Sequence, residues 1–364
     1  MKNRLLGKSG ISIYPIGFGG IPIQKVTQEE ANKIIKEAIN NNVNFFDSAR
    51  GYTCSEQYLG NAFVDNSVNR NQIFLATKSM SRTYEKMKED IDISLKNFKT
   101  DYIDLYQCHN VSKKEDFEIL ISDNGAYKAL KEAKAEGKIK HIGITSHSYD
   151  FLMYLVDSEY NDLFETIQFP YNFIEVDAEK LFAKANKLGI GTIAMKPLAG
   201  GMIDKAEVAI KYLLNDDNLS VLIPGMGSIE EVKQNTSISS IELNSEDKEY
   251  IENVRKEMKG SFCHRCGYCL PCAKGIDIPS IFTLEKYFMK YGLKDWAISR
   301  YNAMKAKIDD CIQCGKCVRK CPYEIDIPNK LKTIGKMFEV YNERKCEINI
   351  KNTRQDKWRL SKKN

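Results

Sequence analysis

The stretch from Phe45 to Gly60 reads FFDSARGYTCSEQYLG. Val43, Phe45 and Phe46 make a short apolar run of the kind a buried strand needs, and Asp47 places a lone carboxylate at its end. Tyr52 follows, and from Ser55 the residues Glu56, Leu59, Ala62 and Phe63 recur at helical spacing, with Ser55 as the expected N-cap. A strand, a polar residue at its exit, a loop bearing a phenol and then a helix form one βα unit of a parallel α/β structure. Barrels keep their chemistry at such exits.

The same alternation extends outward from this unit in both directions. Residues 5 to 13 read as a hairpin turning at Gly7 to Gly10 and capping one end of a barrel. Strands are expected at 16–20, 43–47, 73–77, 102–108, 139–144, 166–169, 190–195 and 220–223. Helical patterns lie near 28–41, 55–65, 84–97, 124–136, 149–157, 177–188, 204–214, 228–236 and 244–258. Eight βα units favour a closed (β/α)8 TIM barrel over an open doubly wound sheet. The glycines of the first strand, Gly19 and Gly20 in IGFGG, permit a ligand or another backbone to come close, although GxGG lacks the rest of a Rossmann fingerprint. Two further strands end in groups that can do chemistry: IFLATK stops at Lys78 and IDLYQCH at His109.

The pattern Asp-x-Ala-x-x-Tyr-x-x-Ser-Glu-x-x-Leu-Gly, carried by Asp47, Ala49, Tyr52, Ser55, Glu56, Leu59 and Gly60, resembles the aldo-keto reductases. Those enzymes hold an Asp, Tyr, Lys, His tetrad in an eight-stranded barrel, and Lys78 and His109 match the next two members in order. The resemblance spans about residues 3 to 258 and implies a first domain over 1–258. It also implies a small-molecule carbonyl or alcohol as substrate and NAD(H) or NADP(H) as hydride carrier. A phenol with a pKa of about 10 is a reluctant acid at neutral pH, and an ammonium beside it makes it a better one. Tyr52 is accordingly expected as general acid, Lys78 as its modulator, Asp47 as the anchor of the lysine, and His109 as the group orienting the carbonyl.

On the cofactor side the resemblance is carried over with substitutions. Family members hold the nicotinamide amide with a Ser-Asn pair after the fifth strand and a Gln on the sixth; Thr145, Ser146 and Gln168 stand in those places. Met195 and Lys196 fall where an aromatic ring often stacks. At the adenosine end Pro224, Gly225, Gln234 and Asn235 keep the family spacing. Gly225 and Glu231 occupy positions that commonly present cations to a 2′-phosphate, so NADH is expected over NADPH, with Lys196 or Lys233 as the substitutes that would reverse this.

The chain has 364 residues and a formal charge of +5, with acidic and basic residues interspersed, so neither nucleic acid nor a membrane is expected as a partner. No apolar run approaches the ~18 residues of a membrane span, and MKNRLLGKSG lacks the apolar centre of a signal peptide. A cytoplasmic location is expected. Eight of the eleven cysteines sit in two short clusters near the C-terminus, which points to metal rather than disulfides.

The clusters belong to an internal repeat. CHRCGYCLPCAKGIDIP runs from Cys263 to Pro279 and CIQCGKCVRKCPYEIDIP from Cys311 to Pro328. Cys311, Cys314, Cys317 and Cys321 followed by Pro322 have the bacterial ferredoxin spacing for 4Fe-4S centres. In two-cluster ferredoxins the fourth cysteine serves the other centre. Two clusters are therefore expected, one on Cys263, Cys266, Cys269 and Cys321, the other on Cys311, Cys314, Cys317 and Cys272. The first copy is irregular, with two residues before Cys272 and Ala273 in place of proline. Zinc is the alternative metal, but a cysteine run ending in Cys-Pro is poorly explained by a tetrahedral ion. A small, mostly helical ferredoxin-like domain is thus expected over 259–346, with a helix across 281–308, followed by a basic tail over 347–364.

Together these readings describe an aldo-keto-reductase-type oxidoreductase joined to 4Fe-4S centres. A hydride carries two electrons while each cluster passes one, so exchange between them normally needs a flavin, and no flavin motif is present. Two alternatives follow. The chain is an electron-transfer or docking subunit that wires a flavoprotein or ferredoxin partner, or it is an ordinary reductase whose clusters are structural or redox-sensing.

Overall fold

Strands whose side chains alternate between the barrel interior and the helices build the first part of the chain. A computed structural model describes the backbone of residues 1–361 and the side chains of residues 1–345. The chain divides into two units, Met1–Glu257 and Met258 onward. In the first, β1 (Arg4–Leu5) and β2 (Ser12–Ile13) pair antiparallel as the expected hairpin. Then β3 (Phe18–Gly19), β4 (Phe45–Asp47), β5 (Phe74–Ser79), β6 (Ile103–Cys108), β7 (Ile139–Thr145), β8 (Thr166–Pro170), β9 (Gly191–Met195) and β10 (Val221–Ile223) lie side by side in chain order, all parallel. Parallel bridges from Ile16 to Leu222 and from Gly19 to Gly225 bring the first strand against the last, and the sheet closes into the expected (β/α)8 barrel.

The interior is layered. Leu6 and Ile13 from the hairpin join Phe45, Ala76, Leu105, Ile193 and Val221 in an apolar plug. Two residues further along their strands Asp47, Lys78 and Gln107 face the same interior, and the filling changes from apolar to polar. Outside, α1 (Gln28–Asn40), α2 (Ser55–Asp65), α3 (Tyr84–Phe98), α5 (Ala126–Ala135), α6 (Tyr149–Asp157), α7 (Ala178–Lys187), α8 (Ala206–Leu214) and α9 (Ile229–Thr236) pack their apolar faces on the strands, and α10 (Ser245–Met258) follows. A short helix, α4 (Lys114–Ile121), follows β6 and was not expected; it buries only Phe117 and Leu120, too few apolar positions to register as a helical period.

The second unit is mostly helical and has its own core around Ile276, Ile281, Phe282, Ile325, Leu331 and Phe338. Its helices are α11 (Ile278–Met289), α12 (Lys294–Asn302), α13 (Lys316–Lys320) and α14 (Ile327–Ser361). The single helix expected over 281–308 is two helices, because the chain turns at Gly292, whose φ of +63° is left-handed. The sequence repeat is also a backbone repeat. Arg265 and Gln313, Gly267 and Gly315, and Gly275 and Glu324 occupy equivalent places, and all six have positive φ. In each copy the aspartate of Ile-Asp-Ile-Pro accepts from the backbone N–H three residues on, Asp277 from Ser280 and Asp326 from Asn329. The basic stretch 347–364 lies outside the residues whose side chains are described. No helix among the described residues is long and apolar enough to cross a membrane.

Candidate active site and metal centres

The C-terminal ends of β4, β5 and β6 bring Asp47, Lys78 and His109 to one mouth of the barrel, and the loop before α2 adds Tyr52. Lys78 Nζ donates to Asp47 Oδ1 at 2.5 Å and to the Ser48 carbonyl at 2.7 Å. It also lies 5.0 Å from the centroid of the Tyr52 ring. The Tyr52 and His109 rings meet edge to face, 6.1 Å apart at 89°. All four residues read from the sequence thus form one cluster.

Burial sets the electrostatics of the mouth. Asp47 and Lys78 are only 2% and 1% exposed. Loss of solvent raises the Asp47 pKa and lowers that of Lys78, and the attraction between them opposes both shifts. His109 is pushed down to about 3, first by burial and then by the charges of Lys78 and Arg82, so it is neutral at physiological pH. Gln107, which sequence reasoning did not single out, donates to Asp47 Oδ2 at 3.4 Å. The period-two rule was the signal for it, because Leu105, Gln107 and His109 share one side of their segment.

Local chain geometry explains the rest of the motif. Ser55 is the first helical residue and Cys54 the cap, in place of the expected Ser55 cap. The Ser55 hydroxyl instead donates to the Gly20 carbonyl at 2.9 Å and accepts from Ser48 Oγ at 2.8 Å. A Cβ at Gly60 would stand 2.3 Å from the Asn97 carbonyl, so the motif's terminal glycine lets α2 approach α3.

The residues expected around a dinucleotide are in varied circumstances. What comes close to Gly19 and Gly20 is backbone: their N–H groups donate to the carbonyls of Pro224 and Asp47, both at 2.8 Å. Ser146 Oγ is buried and accepts from Ser148 N at 2.9 Å, while Thr145 Oγ1 accepts from Asn110 N at 2.8 Å. The buried Oε1 atoms of Gln107 and Gln168 and Nδ1 of His109 have no hydrogen-bond partner among the described residues. The two Oε1 atoms are free acceptors of the kind a carboxamide or hydroxyl ligand satisfies, and the His109 nitrogen donates or accepts according to its tautomer. Met195 and Lys196 are half-buried, with Lys196 at φ +57°. Of the residues expected at the adenosine end, Pro224 and Asn235 are buried and Gln234 exposed. The Glu231 carboxylate accepts from Gly227 N at 2.5 Å beside Gly225, and closes the loop that starts α9.

In the second unit two cavities are lined by cysteines. One is lined by Cys263, Cys266, Cys269 and Cys321. The other is lined by Cys272, Cys311, Cys314 and Cys317, and Cys269 reaches it too. Backbone N–H groups point at the sulfurs, from Arg265 to Cys263 at 3.4 Å and from Lys274 to Cys272 at 3.5 Å. Burial and then neighbouring thiols raise the pKa of Cys269 to about 12 and raise that of Cys266 as well, a repulsion that a bound cationic centre would reverse. A zinc ion with Zn–S of about 2.3 Å would draw its sulfurs to within about 4 Å of one another. Among the described residues no three His, Cys, Asp or Glu side chains are arranged to share one ion. Four cysteines line each recess, the donor set that a 4Fe-4S cubane takes.

The barrel matches the aldo/keto reductase family over residues 15–207 and 202–256, and residues 262–326 match the 4Fe-4S dicluster domain. L-galactose dehydrogenase from Arabidopsis thaliana is 25% identical, over 70% of this chain and 95% of that protein. 6-Dehydroglucose reductase from Novosphingobium aromaticivorans is 26% identical, over 57% of this chain and 72% of that protein. Among solved structures, aldo-keto reductase AKR11C1 from Bacillus halodurans superposes with a TM-score of 0.59 at 24% identity, over 70% of this chain and 96% of that one.

Proposed function

The chain belongs to the aldo/keto reductase family and carries a 4Fe-4S dicluster domain after the barrel, and from this premise we propose that it reduces a small carbonyl compound, or oxidises the corresponding alcohol, with a nicotinamide dinucleotide. The observation that carries the reading is a fully buried Lys78 held between the Asp47 carboxylate and the Tyr52 ring. A nicotinamide supplies a hydride when bound. Tyr52 holds the proton for the carbonyl oxygen, and the Lys78 ammonium beside it favours its release. Neutral His109 orients that oxygen through a ring N–H without carrying charge of its own. Gln168 would take the carboxamide of the nicotinamide through its unpartnered Oε1, with Ser146 beside it. Two relatives are named for sugars or sugar derivatives, which supports a hydroxylated substrate.

NADH is the favoured carrier. The Glu231 carboxylate, bound to Gly227 N, and Gly225 occupy positions where a 2′-phosphate would need a cation, and the carboxylate would repel it. Lys233, Lys196 from the nicotinamide end, and Lys25, whose ammonium attracts the Glu231 carboxylate, are basic residues that would oppose that preference. The eight cysteines would hold two 4Fe-4S clusters in crossed pairing, and reduced thiols of this number fit a cytoplasmic setting. One observation favours a second reading. Cys314 is the exposed member of the eight, so a centre held there reaches the surface, as an electron port to a flavoprotein or ferredoxin partner requires.

Anaerobic purification followed by iron and sulfide analysis tests the centres, with about eight of each expected per chain. Zinc in place of iron would refute the assignment. A visible spectrum before and after NADH then separates the two readings. Bleaching on the timescale of turnover supports electron exchange, while an unchanged spectrum during normal carbonyl reduction makes the centres structural or sensing. A dissociation constant lower for NADPH than for NADH would overturn the cofactor preference.

A further inference from the structure

Arg50 stands two residues before Tyr52 and takes no part in the tetrad, yet it is the hub of a partly buried polar network beside it. Arg50 Nη1 donates to Glu56 Oε2 at 2.8 Å and Nε to Asp90 Oδ1 at 3.3 Å, so one guanidinium bridges α2 and α3. Glu56 is 1% exposed and its oxygens also accept from Thr77 Oγ1 at 2.7 Å, Ser94 Oγ at 2.9 Å and Asn97 Nδ2 at 2.9 Å. Asp90 Oδ2 accepts from the hydroxyls of Ser79 and Ser81. Thr77 and Ser79 are the two neighbours of Lys78 on β5. Because side chains alternate along a strand, they face the helices when Lys78 faces the barrel. The backbone joins the same device, with Arg50 N donating to the Lys78 carbonyl at 3.0 Å.

The two carboxylates therefore grip the strand on both sides of Lys78, and Arg50 ties the Tyr52 loop to both carboxylates. We propose that Arg50 is a positioning residue that, through Glu56 and Asp90, fixes the Tyr52 hydroxyl relative to Lys78 and thereby sets the rate of the proton-transfer step. This rests on Tyr52 being the proton donor. A guanidinium fork spans two acceptors that a point-charge ammonium reaches one at a time, so the device is specific to arginine. Misplacement of a reacting group by about 1 Å costs on the order of 10²-fold in rate, so a loop freed from this anchor loses turnover without losing ligand affinity.

The test compares the holoprotein with its Arg50→Met, Arg50→Lys, Asp90→Asn and Tyr52→Phe variants, using NADH and whichever of methylglyoxal or 4-nitrobenzaldehyde the parent reduces faster. Arg50→Met is expected to lower kcat by about 10- to 100-fold, with KM and the NADH dissociation constant within about twofold. Arg50→Lys should recover part of that loss, and Asp90→Asn, which keeps the side-chain shape, should lose about 3- to 10-fold. A kcat for Arg50→Met within about twofold of the parent, or a loss matched by weaker NADH binding, overturns the proposal. If Arg50→Met does not fold, the Asp90→Asn ratio decides on the same terms. Should Tyr52→Phe retain full turnover, the parent reading fails; if Tyr52→Phe is dead and both network variants are normal, only the positioning role fails.

Discussion

Replacing Tyr52 with phenylalanine is expected to lower kcat for carbonyl reduction by about 10²- to 10⁴-fold while leaving the dissociation constant for NADH unchanged within about twofold. The change removes one oxygen and keeps the ring that meets Lys78 on one side and His109 on the other. Packing at the barrel mouth is thus preserved, and the lost rate reports the proton. No neighbour can replace it. Lys78 already donates to Asp47 and to the Ser48 carbonyl and is only 1% exposed. His109, with a pKa of about 3, holds no imidazolium near neutrality. The acid is therefore lost outright, and stopped-flow measurement of NADH oxidation alongside equilibrium binding separates the two effects.

Lys78→Met is expected to abolish turnover to the same degree and to destabilise the barrel as well. Removing one partner of a buried ion pair leaves the other uncompensated, at a cost of about 3–5 kcal/mol. Asp47 would be that orphan, 2% exposed and left with hydrogen bonds from the neutral side-chain amides of Gln107 and Gln168. The sign with pH follows from linkage. Burial already raises the Asp47 pKa, and without the lysine it rises further. The folded variant then binds a proton that the unfolded chain gives up above about pH 4, so its stability falls as pH rises through the raised value. Denaturant titrations should show the deficit largest near pH 8 and reduced near pH 5. An equal deficit at both would mean that Asp47 is not the group left unpaired.

Much of this site is written in local order. Asp47, Lys78 and His109 each end an apolar run, and an apolar run with a polar exit is the signature of a barrel strand at its functional end. The cysteine repeat is equally local, since Cys-x-x-Cys-Gly-x-Cys sets both the sulfurs and the positive-φ turns between them. What escaped was non-local or too short. The Arg50, Glu56 and Asp90 network joins a loop, two helices and a strand, and nothing in the spacing of those residues announces that they meet. Gly19 and Gly20 read equally well as a ligand's doorway or as a backbone crossing, and only the closing of β3 against the last strand shows which backbone comes close. Ser55 illustrates a different limit: the residue is right for a cap, but a buried bond to Gly20 draws its hydroxyl one position into the helix.

The most direct measurement is the fate of the hydride. Turnover of a carbonyl probe with NADH bearing deuterium at both C4 positions, followed by mass spectrometry of the alcohol, should place one deuterium on the carbinol carbon. The clusters should be dispensable for that transfer. Product free of deuterium, formed only when the iron-sulfur centres have been reduced beforehand, would contradict hydride chemistry at the barrel mouth.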